Sequence, residues 1–137
     1  MSKRLAVYDS STGEILGRVF LADDDQVVNY PSRLELTQAE FESDPETYKR
    51  VSAGALVNKT TVTVTPSKTP FDADGVDECV LTFAGLIDDA SPRVNGVLTS
   101  ITVSDPTITI TADTPAVFVV RLVDAYHVSD EIEVSAV

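Results

Sequence analysis

The stretch Asp72-Ala73-Asp74-Gly75-Val76-Asp77-Glu78 offers four carboxylates in seven residues. Calcium takes several hard oxygen ligands from a flexible loop, so Asp72, Asp74, Asp77 and Glu78 are the candidate metal ligands, and Ca²⁺ is the candidate cofactor. The spacing is not that of an EF-hand. The competing reading is a solvated turn ahead of a strand, with Gly75 supplying a positive φ. His127 is the one histidine, in Asp124-Ala-Tyr-His-Val-Ser-Asp130. A serine hydrolase needs a base held by a third group and a pocket of donors for the oxyanion. No nucleophile turn or Gly-rich oxyanion loop accompanies His127, so no catalytic residue is assigned and the histidine is expected in an exposed loop. Cys79 lacks a neighbouring His or Cys and is expected as a small buried apolar residue. Asp23-Asp24-Asp25 reads as a solvated charge run. The six glycines form no phosphate cradle or dinucleotide fingerprint. Without tryptophan, an aromatic sugar platform has only Tyr8, Tyr30, Tyr48 and Tyr126 to draw on.

The elements that must position these residues are mostly strands. Thr61-Val-Thr-Val-Thr, Cys79-Val-Leu-Thr-Phe, Leu98-Thr-Ser-Ile-Thr-Val, Thr107-Ile-Thr-Ile-Thr and Ala116-Val-Phe-Val-Val-Arg-Leu-Val alternate apolar and polar residues between Pro, Gly, Asp and Asn. Short strands at such spacing predict an all-β sandwich over 60–137. Cys79, Leu81 and Phe83 share one face; Phe118, Val120 and Leu122 share another, opposite Arg121, and are expected in the core. Ser67–Asp77, Asp88–Pro92 and Asp113–Pro115 are expected as loops.

Residues 1–59 read differently. Leu5–Leu21 predicts a β-hairpin around Asp9-Ser-Ser-Thr-Gly13. Val27–Pro31 predicts an irregular or short-strand connection. Thr37 and Glu40 have capping-box spacing, and Ser43-Asp-Pro-Glu repeats it with Pro45 in a first helical turn. Two helical turns broken near Ser43 are therefore expected, with Ala55–Asn58 leading out in extended form. The fold class expected is mainly β: a small N-terminal α+β module (1–59), then a β-sandwich (60–137).

Bulk composition excludes several partners. The chain has 137 residues and a net charge of −12 from 22 acidic and 10 basic side chains. Nucleic acid and anionic membrane both demand positive charge, so neither is an expected partner. A basic partner surface is favoured instead. One cysteine allows no intrachain disulfide. No apolar run follows the basic N-terminal residues and none is long enough to span a bilayer, so synthesis and assembly in a cytoplasm are expected.

Two stretches carry a family resemblance. Leu5-Ala-Val-Tyr-Asp-Ser-Ser-Thr-Gly-Glu-Ile-Leu-Gly-Arg-Val, followed by Asp44-Pro-Glu-Thr-Tyr-Lys-Arg-Val-Ser-Ala-Gly-Ala-Leu-Val, resembles small tail-region proteins of bacteriophages, with Thr47, Tyr48, Gly54 and Val57 matching loosely. Lys49-Arg50 before Val51 departs from that pattern. Val62–Leu86, with Ala73-Asp74-Gly75 ahead of Cys79–Phe83, resembles bacterial Ig-like modules of adhesins and virion proteins. Asp113–Leu122 fits their later strand, with Phe118 at the aromatic position. These resemblances imply a non-enzymatic virion structural protein, most simply a tail or fibre component. Its Ig-like domain would contact other virion proteins, further copies of itself, or a host cell-surface receptor or glycan. The alternatives are a capsid decoration protein with the same domain, or a Ca²⁺- or carbohydrate-binding adhesion module. No catalytic residue comes with either resemblance.

Overall fold

The computed structural model describes residues 2–137. The chain divides into two compact units, Met1–Lys59 and Thr60–Val137. It is a mixed fold of several β-sheets with two short helices.

In the first unit, strands β1 (Lys3–Tyr8) and β2 (Ile15–Leu21) form an antiparallel hairpin. Asp9 organises its turn: the carboxylate accepts the Ser11 N–H at 2.8 Å and its carbonyl accepts the Gly13 N–H at 2.7 Å. A 3-10 helix over Asp24–Asn29 occupies the connection expected to be irregular, and leads to β3 (Arg33–Glu35), which pairs with β1. Three residues are too few for alternation to reveal a strand. Helix α1 (Gln38–Glu42) starts at a complete capping box. Thr37 Oγ1 accepts the Glu40 N–H at 3.2 Å, and Glu40 Oε1 accepts the Thr37 N–H at 2.9 Å. Helix α2 (Pro45–Tyr48) follows a left-handed Asp44 and opens on a buried Pro45. Strands β4 (Lys49–Ser52) and β5 (Ala55–Asn58) form a second hairpin. Ala6, Ile15, Leu36 and Val51 make the core, with Tyr8, Leu34, Phe41 and Leu56 packed against it.

The second unit holds β6 (Thr60–Pro66), β7 (Cys79–Ala84), β8 (Arg93–Val94), β9 (Val97–Leu98), β10 (Thr107–Ile110), β11 (Ala116–Arg121), β12 (His127–Ser129) and β13 (Ile132–Ala136). They form two four-stranded sheets, ordered β10-β7-β6-β12 and β13-β11-β8-β9. Every strand pairing is antiparallel except β12 with β6, which is parallel. Both sheets contribute to one core: Val62, Val64, Cys79, Leu81, Phe83 and Ile110 from the first, Val120, Val134 and Ala136 from the second. Alternation explains why. Along β6 the valines point inward while Thr61, Thr63 and Thr65 stay exposed.

Two expectations are corrected. Leu98–Val103 is not one strand: only Val97–Leu98 is, and Ile101 makes an isolated bridge to Ala90. Thr99 donates to the Pro92 carbonyl and Thr102 and Asp105 exchange backbone bonds, so local turns outcompete the ladder. The Ser67–Asp77 loop also carries a core residue. Phe71 is 2% exposed, and its backbone pairs with the outer edge of β13 through Ser135 and Val137.

Gly13 shows how tightly the first unit is built. At φ +77 a Cβ there would lie 2.0 Å from the Val51 carbonyl oxygen, whereas Gly54, at φ +75, faces open space. Gly54→Ala should therefore cost only the left-handed penalty, roughly 1–2 kcal/mol. Gly13→Ala is expected to cost clearly more, because backbone must move as well. Urea unfolding of the two variants checks the order; equal losses would contradict the packing described.

Candidate functional site

The acidic loop is a folded turn. Asp74 Oδ1 accepts the N–H groups of Val76 at 2.9 Å and Asp77 at 2.8 Å. Asp77 Oδ2 accepts the Asp72 N–H at 2.8 Å, while its other oxygen accepts from Glu78 N–H and pairs with the Lys68 ammonium. Gly75 sits at φ +77 with its N–H on the Ala112 carbonyl. The loop thus spends the carboxylates of Asp74 and Asp77 on its own backbone; Asp72 supplies an N–H, and Glu78 is exposed. Among the described residues no three His, Cys, Asp or Glu side chains gather so as to hold a metal ion, so Asp72, Asp74, Asp77 and Glu78 are not brought to one point.

These bonds set the acid chemistry of the loop. The Lys68 ammonium, then the Asp72 N–H, hold the Asp77 carboxyl below its usual range, and Asp77 raises Lys68 in return. The N–H groups of Asp77 and Val76 lower Asp74. A carboxyl lowered in the folded state stabilises the fold fully above its unfolded pKa, and that contribution is lost as pH falls through the folded value.

His127 is the residue the sequence placed wrongly. It is fully buried, not exposed in a loop. Its Nδ1 lies 3.0 Å from both Asp124 oxygens, and its Nε2 accepts the Ile87 N–H at 3.1 Å. The acceptor role of Nε2 assigns the proton to Nδ1. Both nitrogens are satisfied, which is what lets the ring be buried. Asp124 also accepts the N–H groups of Tyr126 and His127. Nearby Ser129 does not complete a triad. Its hydroxyl donates to the Asp130 carbonyl at 3.0 Å and accepts the Leu122 N–H at 2.8 Å. With Nε2 occupied by a backbone donor, the ring is aimed at Ile87 and not at a nucleophile. The Asp124–His127 pair ties β12, its preceding turn and the segment after β7 together.

The remaining candidates have structural surroundings. Cys79 is buried on the face shared with Leu81 and Phe83, and its thiol reaches the Lys68 carbonyl at 3.1 Å. Asp23, Asp24 and Asp25 are exposed at the start of the 3-10 helix. Tyr126 stands edge-on to the His127 ring, 6.4 Å between centroids. No helix among the described residues is long and apolar enough to cross a membrane.

Sequence reading missed one feature entirely. Arg93 on β8 stands directly opposite Arg121 on β11, and Leu98 on β9 is opposite Arg93. Alternation puts Val117 on the same outer face. Leu98 is 59% and Val117 52% exposed. The signal that could have found this hairpin is Asn95-Gly96, both at positive φ as a two-residue hairpin turn requires.

No family model matches the chain, and no curated protein matches it. The identity drawn from resemblance is corrected accordingly. Nothing found ties the chain to a bacteriophage, a virion, a tail, host attachment, capsid decoration or an Ig-like domain. The structure gives the physical reason why the motifs were cheap. Asp9 to Gly13 is a hairpin turn closed by an aspartate, and Ala73-Asp74-Gly75 is an aspartate-capped turn before a strand. Any β-rich chain can use either.

Two expected outcomes test the turn description. Asp77→Asn should flatten the acid side of the melting-temperature profile, where the wild type loses stability below about pH 4. Calcium at millimolar concentration should leave the melting temperature unchanged. A calcium-dependent rise that Asp74→Ala abolishes would support the metal reading instead. His127→Ala should cost about 2–4 kcal/mol, since it empties a buried site and strands the Ile87 N–H. Denaturant unfolding measures it.

Proposed function

We propose that this protein is non-enzymatic and acts by surface contact within an assembly of several protein chains. One observation carries the reading. The side chains with chemical potential are engaged in their own turns, while large apolar side chains are left on the surface. Asp74, Asp77, Asp124, His127 and Ser129 all bond to local backbone or to one another. Meanwhile Leu16, Phe20, Ile87, Val97 and Leu98 are between 55% and 66% exposed. Val97 and Leu98 are consecutive and both exposed on β9, and contiguous exposed apolar surface is what contact surfaces are made of. Repetition in a symmetric particle converts weak single contacts into firm attachment.

Velocity sedimentation of an extract from cells that naturally make the protein tests this. The tagged chain is expected in fast-sedimenting fractions, at fixed stoichiometry to other components. A chain found only at the top of the gradient, at every salt concentration, would contradict the proposal.

A further inference from the structure

The second unit carries nine Asp and three Glu against Lys68, Arg93 and Arg121, a net charge of −9 over 60–137. Lys68 is neutralised by Asp77. The two cations that remain face each other across β8 and β11. Like charges directly opposite in a sheet are destabilising, so the arrangement needs a compensating anion. None is supplied among the described residues. Glu133 stands opposite Val119, one alternation from Arg121, yet neither arginine forms an ion pair among the described residues. Arg93 donates only to the Gly96 carbonyl at 2.9 Å, and the buried Nε of Arg121 has no acceptor. Leu98 and Val117 lie exposed on the same face. Arginine is among the residues enriched where binding energy concentrates, and the aliphatic side chains around it add surface that excludes water.

We infer that this Arg93–Arg121 face receives the Ile87-Asp88-Asp89 loop of a second copy of the chain, joining copies head to tail. The complementary features are on the same unit. Ile87 is 61% and Val103 50% exposed; the Asp88 carboxylate accepts the Asp89 N–H at 2.8 Å, the Asp89 carboxylate accepts the Val103 N–H at 3.1 Å, and both carboxylates stay exposed in the same loop as Ile87. One patch offers cations with aliphatic surface; the other offers anions with aliphatic surface. Within one copy they do not pair, so each copy keeps both patches for its neighbours. Such a contact is heterologous and builds a ring or an open filament. Copies at −12 repel one another overall, so the arginine face selects the one orientation in which charge attracts. The inference rests on the assembly reading above in taking repetition of this chain as its purpose.

Salt screens the overall repulsion and the local attraction together, so charge reversal is the clean probe. Sedimentation of the purified full chain up to about 1 mM is expected to show self-association. Arg93→Glu and Asp88→Arg, both at exposed positions, should each weaken it at least about tenfold, the scale of one close charge pair. An equimolar mixture of the two variants should recover association, because each then meets its reversed complement. Leu98→Ser, which leaves charge unchanged, should also weaken it. Melting temperatures no lower than the wild type's confirm that the variants fold; Arg93→Glu, which replaces a like-charge pair with an opposite one, should raise the melting temperature. A wild-type chain monomeric throughout, or a mixture no better than its parts, overturns the inference. If such a chain still sediments with a large particle in cell extract, the assembly reading survives and only this contact is lost.

Discussion

Aspartate carboxylates accepting backbone N–H groups are the interaction on which the rest of this structure depends. Strands here are short and connections are long, so many backbone donors fall outside any ladder and need another acceptor. Asp9 serves Ser11; Asp74 serves Val76 and Asp77; Asp77 serves Asp72 and Glu78; Asp89 serves Val103; Asp124 serves Tyr126 and His127. Each short polar side chain fixes a turn that a strand alone would not hold. Five of the 22 acidic side chains are thus committed to internal architecture. The Asp124–His127 pair extends the device inward, because the ring carries the bond on to Ile87.

That constraint changes how the charge should be read. A net −12 is ordinarily a statement about solubility and steering. In this chain it also leaves few cations in the second unit, so where those cations sit becomes informative. Lys68 closes the acidic turn from outside. Arg93 closes only the β8–β9 turn through the Gly96 carbonyl, neither arginine pairs with a carboxylate among the described residues, and the sheet places them side by side. A fold that used its arginines for its own stability would have set one of them opposite a carboxylate.

Legibility in the sequence followed the range of the interaction. The Thr37–Glu40 capping box, the break at Ser43, the Leu5–Leu21 hairpin and the inward faces of Cys79, Leu81 and Phe83 are local patterns, readable because period and spacing determine them. Phe71 in a presumed loop, the three-residue β3, and the burial of His127 were hidden. Each depends on a partner far along the chain: β13 for Phe71, β1 for β3, Ile87 for His127. The candidate site was legible as a turn, since Asp74 and Gly75 are turn formers wherever they occur, but whether four carboxylates converge is a question of side-chain direction that spacing leaves open. The arginine pair was invisible because it joins positions 28 residues apart, from Arg93 to Arg121, between β11 and a strand of only two residues.

The account's central claim is that this protein works through the β8, β9 and β11 surface and not through its chemistry-bearing loops. Amide hydrogen exchange of the full chain, dilute against concentrated, tests it most directly. The account predicts that protection rises with concentration over 93–98 and 117–121 and in the 87–89 loop, and is unchanged over 72–78 and 124–127. Protection gained at 72–78 or 124–127 instead, with 93–98 unaffected, would contradict it.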